Sequence, residues 1–78
     1  MFNYESMLNC ELLSTILSEK QGEHVTERLL QDFPALKYLL VEASEQELQQ
    51  VKGIGSKRAR QIKCCYELAR RLYVGVRG

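Results

Sequence analysis

The chain has no tryptophan, a single proline, a single histidine and an odd number of cysteines, three. Each scarcity excludes a class of chemistry. One histidine, His24, together with Cys10, Cys64 and Cys65 in no C-x-x-C spacing, makes no zinc ligand set. The same cysteines argue against a disulfide framework and for a reducing compartment, with three ordinary thiols and Cys65 packed in the core. No apolar run approaches the ~20 residues of a membrane helix. The start, Met1-Phe2-Asn3-Tyr4-Glu5, has no basic segment ahead of an apolar one, so no signal peptide is expected and the chain reads as cytoplasmic. No Ser/His/Asp arrangement, no carboxylate pair in an apolar setting and no phosphate-binding loop of the nucleotide-hydrolase type is present. The expectation is therefore no catalytic residue, no metal, no cofactor, no small-molecule substrate and no membrane contact.

Net charge is scarce too, at +1, which at face value argues against a polyanionic partner. The total is a cancellation. Through Val51 the chain carries three basic residues (Lys20, Arg28, Lys37) against nine acidic ones, a net of −6. From Lys52 onward it carries eight basic residues against Glu67 alone, a net of +7. Such asymmetry points to a surface that faces a polyanion, or to acidic and basic helix ends that neighbour each other in the fold.

What is present is helical periodicity within a length, 78 residues, that fits one small domain. Leu12, Leu13, Ile16 and Leu17 share one face of a first helix, which Asn9 can cap. The polar stretch Ser18 to Gly22 reads as a connector. A second helix turns Val25, Leu29, Leu30 and Phe33 inward and Glu27, Arg28 and Gln31 outward. Pro34 ends it and opens a short third helix, Ala35 to Leu40, with Leu36, Leu39 and Leu40 as its stripe. Ser44-Glu45-Gln46-Glu47 is a capping box that starts a fourth helix, in which Leu48 and Val51 face inward. Lys52-Gly53-Ile54-Gly55 stops that helix, and Ser56 can cap a long fifth one to about Tyr73. On the fifth helix Ala59, Ile62, Cys65, Tyr66, Ala69, Leu72 and Tyr73 gather on one side, and the charged residues gather on the other.

The informative stretch runs from Leu48 to Ile62. Two glycines flank one aliphatic residue between two helices, with apolar positions at matching offsets on both sides. Gly53 and Gly55 permit special backbone angles and close approach. Ile54 plugs the space between the helices, and small Ala59 lets them cross closely. The turn and the first turn of the next helix present unpaired N–H groups, which attract phosphate. Lys52, Lys57 and Arg58 surround them, with Arg60 and Lys63 further along the helix. The candidate nucleic-acid contacts are thus Lys52, Gly53, Ile54, Gly55, Ser56, Lys57, Arg58, Arg60 and Lys63. Backbone contact of this kind carries no base information, so binding is expected to be independent of sequence.

This stretch, 44–62, resembles the helix-hairpin-helix motif of DNA repair and replication proteins. A longer likeness covers residues 9–73. Glu11-Leu12-Leu13-Ser14-Thr15-Ile16-Leu17, Leu29-Leu30-Gln31-Asp32-Phe33, Leu36-x-x-Leu39-Leu40, Ala43-Ser44-x-x-Glu47-Leu48, Val51-Lys52-Gly53-Ile54-Gly55 and Glu67-Leu68-Ala69-Arg70-Arg71 look like the N-terminal domain of the bacterial RadC family. In that family a helical domain precedes a metal-binding domain of the JAB/MPN type, whose motif needs several histidines that this chain lacks. Ser56 stands where the family has a proline. The resemblance implies an all-α, compact five-helix domain of the tandem helix-hairpin-helix (SAM-like) kind with one well-formed hairpin. It also implies a DNA-repair association. Residues 1–8 are then an N-terminal extension, 9–73 the domain and 74–78 a tail or linker. The stretch from Glu11 to Phe33 reads as a degenerate first hairpin, structural in role, with His24 at the surface or at a helix start.

Two functions follow as expectations. The first is a non-catalytic, sequence-independent DNA-binding module. The alternative is a protein-interaction or self-association module, for which Phe2, Tyr4 and Tyr38 are candidate exposed anchors.

Overall fold

The computed structural model describes residues 3–77. After a 3₁₀ turn, Tyr4–Ser6, four α-helices follow: α1 (Asn9–Ile16), α2 (Val25–Asp32), α3 (Glu45–Leu48) and α4 (Ser56–Arg77). Between α2 and α3 lies a π-wound turn, Tyr38–Glu42. It is the continuation of the helical segment expected after Pro34 and completes the five helices. Among the described residues there is no strand. The architecture is all-α, as the periodicity required.

The elements pair as two hairpins, α1 against α2 and α3 against α4, with the π turn laid on α4. Their shared core is Leu13, Leu17, Val25, Leu29, Leu39, Ala43, Leu48, Val51, Ile54, Ala59 and Ile62. Leu30, Phe33 and Leu40 pack against it, partly buried. Leu29, Leu39, Ala43, Leu48 and Ala59 are wholly removed from solvent. Ile16 and Leu36, expected inward, lie at the core's edge and are exposed.

Local chemistry fixes the helix ends. The capping box forms in both directions: the Glu47 N–H donates to Ser44 Oγ at 3.1 Å and the Ser44 N–H to Glu47 Oε1 at 3.2 Å. Two other expected caps are corrected. Leu8, not Asn9, is the cap position of α1, and its N–H donates to Glu11 Oε1 at 2.7 Å. Ser56 is already helical, because Gly55 supplies the first accepting carbonyl of α4, to the Ala59 N–H at 3.0 Å.

The long last helix departs most from expectation. It runs past Tyr73 to Arg77, through 22 residues, or roughly 33 Å at 1.5 Å per residue. Its first turns carry Ala59 and Ile62 into the core. From Tyr66, which is half-buried, to Tyr73 its apolar residues stay largely uncovered. Leu68, Leu72 and Tyr73 are about 70% exposed, and Cys65 and Ala69 are exposed as well. Cys65 is therefore not a core residue, and all three cysteines are free surface thiols. The projecting helix also explains a radius of gyration of 13.0 Å, where a sphere-like domain of this length would give about 11.5 Å. No helix among the described residues is long and apolar enough to cross a membrane.

Candidate nucleic-acid interface

The second hairpin closes through a tight turn, with the Ile54 N–H on the Val51 carbonyl at 3.0 Å. Gly53 holds the left-handed position of that turn, with φ +96°. A Cβ on Gly53 would collide with Val25 Cγ2, so this glycine is needed twice: for its backbone angle and for the close seat against α2. Ile54 plugs the hairpin at 4% exposure and joins Leu48, Val51, Ala59 and Ile62 in the core.

Gly55 is different. Its φ lies outside the left-handed region, and a Cβ there would meet nothing within 4 Å. The fold itself has no need of a glycine at this position. Its openness leaves clear space in front of the α4 N-terminus, where the N–H groups of Ser56, Lys57 and Arg58 precede the first intrahelical bond. Lys52, Ser56 and Lys57 are exposed around this mouth.

The remaining cations of the expected contact set are engaged within the fold. Arg58 is a clamp between the hairpins. Its guanidinium donates to both oxygens of Glu23, each at 2.9 Å. It also donates to the Leu17 carbonyl at 3.2 Å and the Gly53 carbonyl at 3.1 Å. The Arg58 bonds, with the Lys20 N–H at 2.6 Å, hold the pKa of the Glu23 carboxyl down at about 2. Lys63 caps the π turn, with Nζ donating to the carbonyls of Leu40 (3.1 Å) and Ala43 (2.8 Å). Arg60 leans on Glu45 at 3.4 Å in an exposed pair. Arg28, expected simply outward, bridges α2 to the hairpin through the Lys52 carbonyl at 3.1 Å. No local pattern announces these uses. Glu23 is 35 residues from Arg58, Ala43 is 20 from Lys63 and Lys52 is 24 from Arg28.

The first hairpin is closed to an anion. Glu19 Oε1 accepts the Thr26 N–H at 2.6 Å and so occupies the N-terminus of α2. His24 sits before that helix with φ +55°, exposed, and its Nδ1 lies 3.2 Å from Glu27. Among the described residues no group of three or more His, Cys, Asp or Glu side chains is placed to hold a metal ion. Of the candidate protein-binding anchors, Tyr38 is exposed at its edge, stacks on Phe33 and donates its hydroxyl to Glu47 Oε2 at 2.9 Å. That bond raises the Tyr38 pKa above the ordinary phenol value. Tyr4 is exposed, and Phe2 lies outside the described residues.

Comparison with known proteins finds the second hairpin as a motif. The family model for the helix-hairpin-helix motif matches residues 38–65, from the π turn into α4. A UPF0758 protein of Bacillus licheniformis is 42% identical over 73 residues, which cover 88% of this chain and 32% of that protein. A UPF0758 protein of Geobacillus thermodenitrificans is 36% identical over the same shares. One from Geobacillus sp. (strain WCH70) is 38% identical over 72 residues, 87% of this chain and 31% of the relative. The chain thus spans about a third of the length of the curated relatives it matches. No solved structure matches it.

Proposed function

We propose that this chain is a non-catalytic, cytoplasmic DNA-binding module of the RadC-like kind, which grips phosphate through the Gly53-Ile54-Gly55 turn and the α4 N-terminus without reading sequence. One observation carries the reading: of the two hairpin mouths, only the second is open, ringed by exposed Lys52 and Lys57 and faced by a glycine the fold does not need for itself. The first mouth already holds the Glu19 carboxylate where an anion would sit. The motif match over 38–65 supports the same hairpin. Relatives that match most of this chain, but only a third of themselves, support a module that works within a longer protein.

The proposed contact set is narrower than the nine residues expected from sequence. Lys52, Lys57 and the N–H groups of residues 56–58 face the ligand, and Ile54 and the side chains of Arg58 and Lys63 hold the hairpin in shape. Arg60 stands at the border. The test is fluorescence anisotropy of the chain on labelled duplex, branched and single-stranded DNA across a salt series. A Kd of roughly 10⁻⁴–10⁻⁶ M near physiological salt is expected, nearly equal across sequences. The Lys52→Glu, Lys57→Glu pair and Gly55→Val should each weaken binding at least several-fold while the thermal unfolding midpoint holds. Parent-like binding by both would sink the proposal. A second reading, a protein-interaction module, is favoured by one feature, the exposed apolar stripe of α4.

A further inference from the structure

The projecting end of α4 and a groove on the far hairpin are complementary in polarity and charge. The groove lies open between α1 and α2, has a volume of about 520 Å³ and is lined by Glu11, Ser14, Glu19, Thr26, Glu27 and Leu30, among others. Leu30 contributes apolar surface, and three carboxylates stand around it: Glu11, Glu19, which accepts the Thr26 N–H, and Glu27, which is paired with His24 on the same lining. Thr26 forms part of its floor at 3% exposure.

The helix end offers the opposite pattern. Leu68 and Leu72 are one turn apart, and with Cys65, Ala69 and Tyr73 they fill one arc of the helix. Glu67, Arg70 and Arg71 lie on the other arc, bound as one cluster, with Glu67 Oε2 at 2.7 Å from Arg70 and 2.9 Å from Arg71. Two guanidinium groups share one carboxylate, so the cluster keeps a net positive charge. The apolar arc is therefore flanked by basic and not acidic surface. Two such helices pressed together would set like charges side by side, whereas the acidic surround of the groove answers them.

We propose that the α4 end of one copy of this chain docks in the α1–α2 groove of a second copy. The contact is heterologous: each copy offers one helix end and one groove on different faces. Repetition therefore leads to rings or open arrays and not to a two-fold dimer. This inference does not depend on the DNA-binding reading, since neither surface includes Lys52 to Lys57.

Sedimentation of the full chain over a concentration series tests it. The parent should rise in mass with concentration, with no plateau at the dimer, and the rise should weaken with salt. A groove variant, Glu27→Lys, and a helix variant, Leu68→Gln with Leu72→Gln, alter only exposed positions, and circular dichroism checks that each folds. Each variant alone should remain a monomer. Mixed, they retain one intact groove and one intact helix end, so they should form a 1:1 dimer and stop there. A parent that stays monomeric to its solubility limit overturns the proposal. So does a groove variant that still dimerises alone, which would mean that α4 pairs with α4. A mixture that remains monomeric overturns it as well.

Discussion

Among individual residues, the two glycines one position apart serve different ends. Gly53 is held at φ +96° against Val25, so Gly53→Ala should cost about 1–3 kcal/mol in chemical denaturation. Gly55→Ala should change stability by no more than about 0.5 kcal/mol, because a Cβ there meets nothing. Equal losses at both positions would refute this division. Glu23 gives a pH prediction. Its folded pKa, about 2, lies below the ordinary carboxylate value near 4.5, so its contribution is present above pH 4.5 and is lost as pH falls towards 2. The gap in unfolding midpoint between the parent and Glu23→Gln should be constant at neutral pH and shrink through that acid window. A gap that does not narrow would mean that the Arg58 clamp does not hold Glu23 ionised. In the sequence Arg58 is one cation among several, and nothing near it marks it as the one that clamps the hairpins.

Among the elements, caps and turns carry the fold as much as helix propensity does. A four-residue helix such as α3 cannot stand alone. It exists because Ser44 and Glu47 close its start and Leu48 enters the core. Ser44→Ala should therefore destabilise the chain by about 1 kcal/mol, with the loss visible as faster amide exchange across Glu45–Leu48. Arg58→Lys should lower the unfolding midpoint by more than Arg60→Ala does, since an ammonium cannot fork to both Glu23 oxygens and still reach the Leu17 and Gly53 carbonyls. The capping box and the hairpin seam are legible in the sequence because their partners lie within a few residues. Asn9 and Ser56 do not act as the expected caps for a related reason. Cap preference names residue types, whereas here the geometry of the preceding residue fixes where each helix begins.

For the assembled domain, one open hairpin limits what a single copy can grasp. With one or two phosphates engaged, log Kobs should fall against log salt with a slope of about −1 to −2. A much steeper slope would require a second basic face or several copies bound side by side. The unequal halves of the charge also find their place. Part of the acidic −6 is used inside the fold, with Glu19 closing α2 and Glu23 holding Arg58. The basic +7 is divided between the open mouth, internal clamps and the projecting end of α4.

Amino-acid order alone dictates the helical class, the second hairpin with its Leu48, Val51, Ile54, Ala59 and Ile62 seam, and the capping box. These rest on periodicity and short-range spacing, which a linear chain displays. Three things are settled only in three dimensions: which cations remain free, why Gly53 and Gly55 differ, and where the apolar face of α4 loses its cover. Those depend on which distant carbonyl, carboxylate or methyl group arrives beside a residue, and that is set by how the two hairpins dock.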